Sequence, residues 1–454
     1  MTKVFKSIFP YNQQLIAEYA LMDDQAVDHA LTKTAKAYRH WSEQSFAYRA
    51  DILNNVAGIL RRDKDELAIL ITNEMGKVLA ESKGEVEKCA WVCEYYAQNA
   101  EAFLQDETIE AGYHKSFVSY HPIGAVLAIM PWNFPFWQVF RFAAPTLMAG
   151  NTALLKHAPN VTGCSLAIQK IFEEAGAQDG VFQSLVIDTP EVEKIIAADI
   201  VQAVTLTGSE RAGTSVAMLA GKHIKKSVLE LGGSDALIVL ADADIEKAAA
   251  VAIQSRMLNA GQSCIASKRF IVEKAIEDEF VHQLQSQILK LKQGDPFSEG
   301  VTTGPMARLD LAHELERQMR SSIKSGAVLQ IGGEVDGANF QPSMLLKVHK
   351  GMATFEEEAF GPLASVMSVA NDGEAIAMAN QSNYGLGGSI WTRDVEKGIA
   401  LGRKINSGAV FVNSLVKSDP RLPFGGVKKS GYGRELGRHG ILEFMNAKTI
   451  AAEQ

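Results

Sequence analysis

AVTLTG at Ala203–Gly208 and SVLELGG at Ser227–Gly233, with one helix-length segment between them, decide the fold. Each is an apolar run of strand length that stops on glycine, where a chain can turn into a helix or a loop. The same unit recurs upstream as TALLK at Thr152–Lys156, a helical stretch to about Ala175, and FQSLVI at Phe182–Ile187. Before it, Gly124–Met130 reads as a buried strand running into PWNFP at Pro131–Pro135, and Phe117, Val118 and Tyr120 read as a shorter one. Strands separated by helices of this length imply βαβ units, hence an α/β protein with a parallel, doubly wound sheet. A second α/β series opens with ALIVL at Ala236 and runs to about Gly408. The first hundred residues read as helices, since Leu53, Val56, Ala57 and Leu60 recur at helical spacing, as do Leu67, Leu70, Ile71 and Met75.

Open α/β sheets bind ligands outside the carboxyl ends of their strands. The residues at those ends are Asn133, Lys156, Gly208 with Ser209, and Glu230. Gly208–Gly213, GSERAG, follows a strand and opens a helix, a place where backbone N–H groups and the helix dipole hold phosphate. There is no GxGxxG, so an ordinary turn between strand and helix remains an equal reading.

At 454 residues the chain suits two or three domains, and 47% hydrophobic with 22% charged residues is an ordinary globular composition. A net charge of −8 without a basic block argues against nucleic acid and anionic membrane as partners and favours a small-molecule substrate. The most apolar run, Ile123–Trp132, is about half a membrane span, and MTKVFKSIFPYNQQ lacks the apolar core of a signal peptide. A cytoplasmic protein is expected. Four cysteines without a CxxC pair suit a reducing compartment, with Cys89 and Cys93 on one helical face filling core and Cys164 near a helix start.

Cys264 stands apart. It ends NAGQSC, Asn259–Cys264, a polar, glycine-bearing interruption between a helix-like segment from Asp244 to Leu258 and a β-rich stretch from Lys268. A reactive thiol and an inert loop thiol are both open on this stretch alone. No HExxH, paired CxxC or Asp-rich calcium loop occurs, so no metal site is expected. Gly261-Gln262-Ser263 begins like a nucleophile elbow, but Ile265 stands where that motif needs glycine.

Five motifs in order resemble the aldehyde dehydrogenase superfamily: PWNFP, LELGG at Leu229–Gly233, GQSC at Gly261–Cys264, EEEAFGP at Glu356–Pro362, and PFGGVKKSGYGRE at Pro423–Glu435. Within it, LLKHAPN at Leu154–Asn160 and FGGVKKSG resemble the shorter bacterial succinate-semialdehyde dehydrogenases. The resemblance implies a Rossmann-type dinucleotide-binding domain over 1–105 and 121–231, a catalytic domain over 232–432, and a bridging β element over 106–120 and 433–454. Its alternating strand IEAGYHKSFVSY would expose an edge in a monomer, so a homodimer or homotetramer is expected.

The resemblance also assigns roles. Cys264 is the nucleophile, Asn133 and the Cys264 N–H hold the oxyanion, Glu230 is the general base that favours hydrolysis to a free acid, and Glu435 relays protons or forms a structural salt bridge. A thiol has an ordinary pKa of about 8.5 that nearby groups can lower. Cofactor contacts fall to Lys156 and Trp132, to Ser209 beside Gly208, and to Glu358 with Phe360. Where many NAD-specific relatives carry a glutamate, three residues after the lysine, this chain has Pro159; NAD is expected as cofactor, with NADP tolerated. Arg141, eight residues beyond Asn133, matches a carboxylate-binding arginine. A second such arginine is replaced by Leu258, with Arg421 or Arg256 as candidates to compensate, and Ala266 removes a neighbouring redox cysteine. The implied reaction is NAD(P)-dependent oxidation of an aldehyde to its acid, foremost succinate semialdehyde to succinate. The alternatives are another aldehyde, aliphatic or aromatic, and a non-catalytic binding protein on this fold, against which intact Cys264, Glu230 and Asn133 argue together.

Overall fold

The computed structural model describes residues 3–454. A six-stranded sheet runs in the order Gly431–Tyr432, Lys226–Glu230, Val201–Thr207, Ala125–Met130, Thr152–His157, Phe182–Ser184. Its five sequential strands are parallel, and the late strand Gly431–Tyr432 joins antiparallel, pairing Gly431 with Glu230. Strand order reverses between Ala125–Met130 and Val201–Thr207, the switch point at which such sheets leave a crevice. Asn133 and Gly208 follow those two strands.

A second sheet has seven strands, in the order Val328–Ile331, Ser343–Leu346, Leu363–Val369, Ser267–Glu273, Asp235–Val239, Gly388–Trp391, Phe411–Val412. All neighbours are parallel except Val328–Ile331. The chain crosses from the first sheet to the second between Glu230 and Asp235, so LELGG joins the two.

The helix Trp137–Met148 is buried all round, as an apolar helix between layers must be, yet it carries Arg141 inside. The 25-residue helix Leu79–Phe103 packs across it, with Cys89 and Cys93 in its core face. Cys164 is buried in the first turn of Thr162–Glu174, its N–H donating to Glu74.

The first hundred residues are not all helical. An antiparallel hairpin, Val4–Phe9 with Gln14–Ala20, precedes the helices. Its first strand buries polar Ser7 and exposes Val4 and Ile8, so the apolar residues do not follow the alternation in burial. In the three-stranded sheet, the strand Lys115–Pro122 lies in the middle, flanked by Glu107–Thr108 and Met445–Ala452. The edge expected on the IEAGYHKSFVSY strand therefore falls to Met445–Ala452 instead.

Candidate active site

Cys264 sits between the helix Ile245–Met257, capped by Asp244, and the strand Ser267–Glu273. The turn before it is strained. Asn259, Ala260 and Gly261 are all left-handed, at φ of 56°, 49° and 72°. For the two non-glycine residues this costs about 1–2 kcal/mol each. Four side chains hold the turn, each bond contributing about 1 kcal/mol net, enough to offset that cost. Glu81 accepts the Asn259 N–H, Asn259 Nδ2 donates to the Asn133 carbonyl at 2.7 Å, Gln262 Nε2 donates to the Asn259 carbonyl at 3.1 Å, and Arg256 donates to the Gly261 carbonyl. Gly261 is required because a Cβ would press on the Gly361 backbone.

Asn133 Nδ2 donates to the Gln262 carbonyl at 3.0 Å, which fixes the amide two residues from the nucleophile and leaves its second N–H for a ligand. Among the described residues, the Cys264 N–H donates to no protein group.

Glu230 ends its strand nearly fully buried, with no hydrogen-bond partner on either carboxylate oxygen. Burial first, then the charge of Glu435, holds its carboxyl well above the usual range. Gly425 of PFGG makes room for it, since a Cβ there would lie 2.5 Å from Glu230 Oε1. Glu435 is buried in an ion pair with Arg141, and burial raises its carboxyl while Arg141 opposes the rise.

The Cys264 thiol is pushed up to about 12, chiefly by burial, with Arg141 and Lys268 pulling down and Glu358 and Glu230 pushing up. Neighbouring cations do lower it, as expected, but desolvation outweighs both. The thiol therefore needs a base to ionise it, and Glu230 is one of the charges that it senses.

Lys268, which the sequence reading passed over as the start of a strand, is buried beneath the nucleophile. Its ammonium donates to the carbonyls of Ser263 at 2.8 Å and Cys264 at 2.6 Å and lies 3.2 Å from Glu358 Oε1. Glu358 also accepts the Gly233 N–H at 3.0 Å. No short motif carries Lys268.

The residues expected to hold a dinucleotide lie at and after the strand ends and on the segment of Glu358. Lys156 Nζ is largely buried with only a 3.4 Å contact to its neighbour's carbonyl, which leaves an ammonium for a ribose. Ser209 caps Glu210–Lys222, its Oγ accepting the Ala212 N–H, so a 13-residue helix points its N-terminus at the end of the strand bearing Gly208. The Trp132 and Phe360 rings stand edge to face at 5.8 Å. These residues fit a dinucleotide. Among the described residues, no group of three or more His, Cys, Asp or Glu could hold a metal, and no helix is long and apolar enough to cross a membrane.

A cavity of about 290 Å³ opens onto Cys264, walled by Trp137, Arg141, Leu258, Phe424 and the inner face of the helix Leu79–Phe103. Arg141 reaches it, but its Nε is committed to Glu435, and its guanidinium lies over the Phe424 ring at 4.5 Å. The two compensating arginines do not reach it. Arg421 points outward, paired with Asp419 at 2.7 Å and set over Trp91. Arg256 is buried under the strained turn.

The family model for the aldehyde dehydrogenase family matches residues 1–450. The probable succinate-semialdehyde dehydrogenase [NADP(+)] of Synechocystis sp. is 47% identical, with 98% of each chain covered. Succinate-semialdehyde dehydrogenase [NADP(+)] 1 of Mycobacterium tuberculosis is 44% identical, also over 98% of each. The crystal structure of the Streptococcus pyogenes succinic semialdehyde dehydrogenase, in complex with NADP+ as the cofactor, superposes with a TM-score of 0.97 at 38% identity, covering 99% of this chain and 100% of that one. With a nearly full-length match, a half-buried thiol, and a buried amide and unpartnered carboxylate near it, this chain belongs to the aldehyde dehydrogenase family.

Proposed function

We propose that the protein oxidises succinate semialdehyde to succinate, with NAD or NADP as the oxidant. The observation that carries this reading is the grouping of a raised thiol, an unpartnered carboxylate and a tethered amide beside a cavity that contains Arg141.

Cys264 gives its proton to Glu230, and the thiolate attacks the aldehyde carbon. The Asn133 Nδ2 and Cys264 N–H groups hold the oxyanion, and losing one such donor typically costs about 3–4 kcal/mol of barrier. A nicotinamide dinucleotide held by Lys156, Ser209 and Glu358 would supply the hydride acceptor, and Cys264 keeps the acyl group as a thioester. Glu230 then takes a proton from water, which attacks the thioester; the acid departs and the thiolate returns. Glu435, held by Arg141, offers a site for the proton that Glu230 sheds.

Lys156 and Pro159 support use of both nucleotides. No glutamate follows the lysine to repel a 2′-phosphate, and no added cation binds one. Relatives whose names specify NADP weigh toward NADP. The free edge of Met445–Ala452 supports pairing between copies into a dimer or tetramer, which light scattering of the eluted protein would measure.

The test is steady-state turnover of succinate semialdehyde, butanal and benzaldehyde with each nucleotide, following the absorbance of the reduced nicotinamide. A preference for the carboxylated aldehyde is expected. Equal or better turnover of the uncharged aldehydes would replace the substrate, and no turnover of any of them would remove the reaction.

A further inference from the structure

The helix Leu79–Phe103 turns charge inward. Glu81, Gly84, Glu85 and Lys88 fall on one helical face and line the cavity beside Cys264. The two anions are already engaged. Glu85 pairs with buried Lys77 and accepts the N–H groups of Phe136 and Trp137 at 2.8 and 3.0 Å. Glu81 accepts the Asn259 N–H, and burial raises its carboxyl to about 7.

Lys88 is different. Its ammonium donates to Ser418 Oγ at 2.7 Å and lies 4.1 Å from the centre of the Trp137 ring. Among the described residues it forms no ion pair, although Asp419 and Glu85 are close enough to be felt. Arg141 faces it from the neighbouring helix, and burial together with that cation pushes its ammonium down to about 8. A half-buried cation that faces a cavity without an anion of its own is poorly solvated, and a ligand carboxylate would relieve it. Arg141 cannot do this alone, because Nε is held by Glu435 and Nη2 lies 3.4 Å from Thr207 Oγ1, leaving Nη1 for a ligand. Leu258, on the same wall, contributes no charge.

We infer that Lys88, steadied by Ser418 and Trp137, is the principal cation that binds the distal carboxylate of the aldehyde, with Arg141 in support. The inference rests on the substrate class proposed above. A lysine gives a point charge rather than a bidentate fork, so the subsite reads charge more than the planar geometry of the acid.

Wild type, Lys88→Met and Lys88→Arg are compared for the ratio of kcat/KM with succinate semialdehyde to that with butanal. Lys88→Met should lower the ratio about 10- to 100-fold, mostly through KM for the carboxylated aldehyde, as loss of a charged hydrogen bond predicts. Lys88→Arg should stay within about fivefold of wild type. If Lys88→Met fails to fold, Ser418→Ala, which frees the ammonium, should lower the ratio about three- to tenfold. A wild type that prefers the carboxylated aldehyde, with Lys88→Met or Ser418→Ala retaining that preference, overturns the role of Lys88 alone. A wild type without the preference overturns both this inference and the substrate on which it rests.

Discussion

Lys268 donates to the carbonyl oxygen of Cys264 at 2.6 Å, and the same ammonium reaches Glu358. One buried cation thus ties the nucleophile's backbone to the carboxylate of Glu358. In Lys268→Met, two carbonyls and a carboxylate lose their donor, and breaking a buried pair of this kind costs about 3–5 kcal/mol. The urea midpoint should fall accordingly, and KM for the nucleotide should rise as Glu358 is released. An unchanged midpoint would show that water replaces the ammonium without cost.

Replacing the nucleophile separates chemistry from binding. Cys264→Ala should reduce aldehyde oxidation by at least about 10⁴-fold, the scale on which loss of a nucleophile acts, while nucleotide affinity by fluorescence titration stays near the parent's. Turnover within tenfold of the parent would end the thioester mechanism.

Glu230 gives a stability test whose sign is opposite to that of a salt-bridged carboxylate. Its folded pKa is raised, so the folded state holds a proton that the unfolded chain releases near the ordinary value of about 4.3. Stability is therefore lost as pH rises from there toward the raised folded value. Glu230→Gln should melt higher than the parent at pH 8, with the gap closing by pH 4. The same variant should lose both the burst of reduced nucleotide and steady turnover, since thiol and hydrolytic water share the one base. Melting curves and stopped-flow traces read the two effects separately.

Arg141 and Glu435 are buried together. Arg141→Leu leaves Glu435 unpaired and should cost about 3–5 kcal/mol, whereas Arg141→Leu with Glu435→Leu should recover much of that loss. Denaturation of the four proteins in this cycle measures the coupling, and additive losses would contradict it.

Cofactor choice can be moved at one position. Parent efficiencies with NAD and NADP should lie within about two decades of each other. Pro159→Glu places a carboxylate near Lys156, which should lower kcat/KM for NADP at least about tenfold more than for NAD through like-charge repulsion. An unchanged ratio would place the 2′-phosphate elsewhere.

Much of this site was legible because its residues sit where strands stop. Asn133, Lys156, Gly208 and Glu230 end apolar runs, and the fold carries those ends to one crevice. Lys88 and Lys268 were not legible, since a lysine on a helix or at a strand's start reads as a solvated charge; only packing reveals that Lys268 is buried and that Lys88 faces a cavity. Arg421 misled for the opposite reason: adjacency to PFGG placed it near the site in sequence, while Asp419, two residues before it, draws its side chain outward. The hairpin Val4–Ala20 escaped because its alternation in burial is not matched by residue type: polar Ser7 faces inward while Val4 and Ile8 face solvent.

The late strand Gly431–Tyr432 lies against Glu230, and Glu435 follows it directly. During synthesis, then, the thiol leaves the ribosome well before the segment that completes its surroundings. A nascent chain carries the nucleophile and Glu230 without the Glu435 carboxylate that takes up the shed proton, and competence arrives only with the closing of the fold.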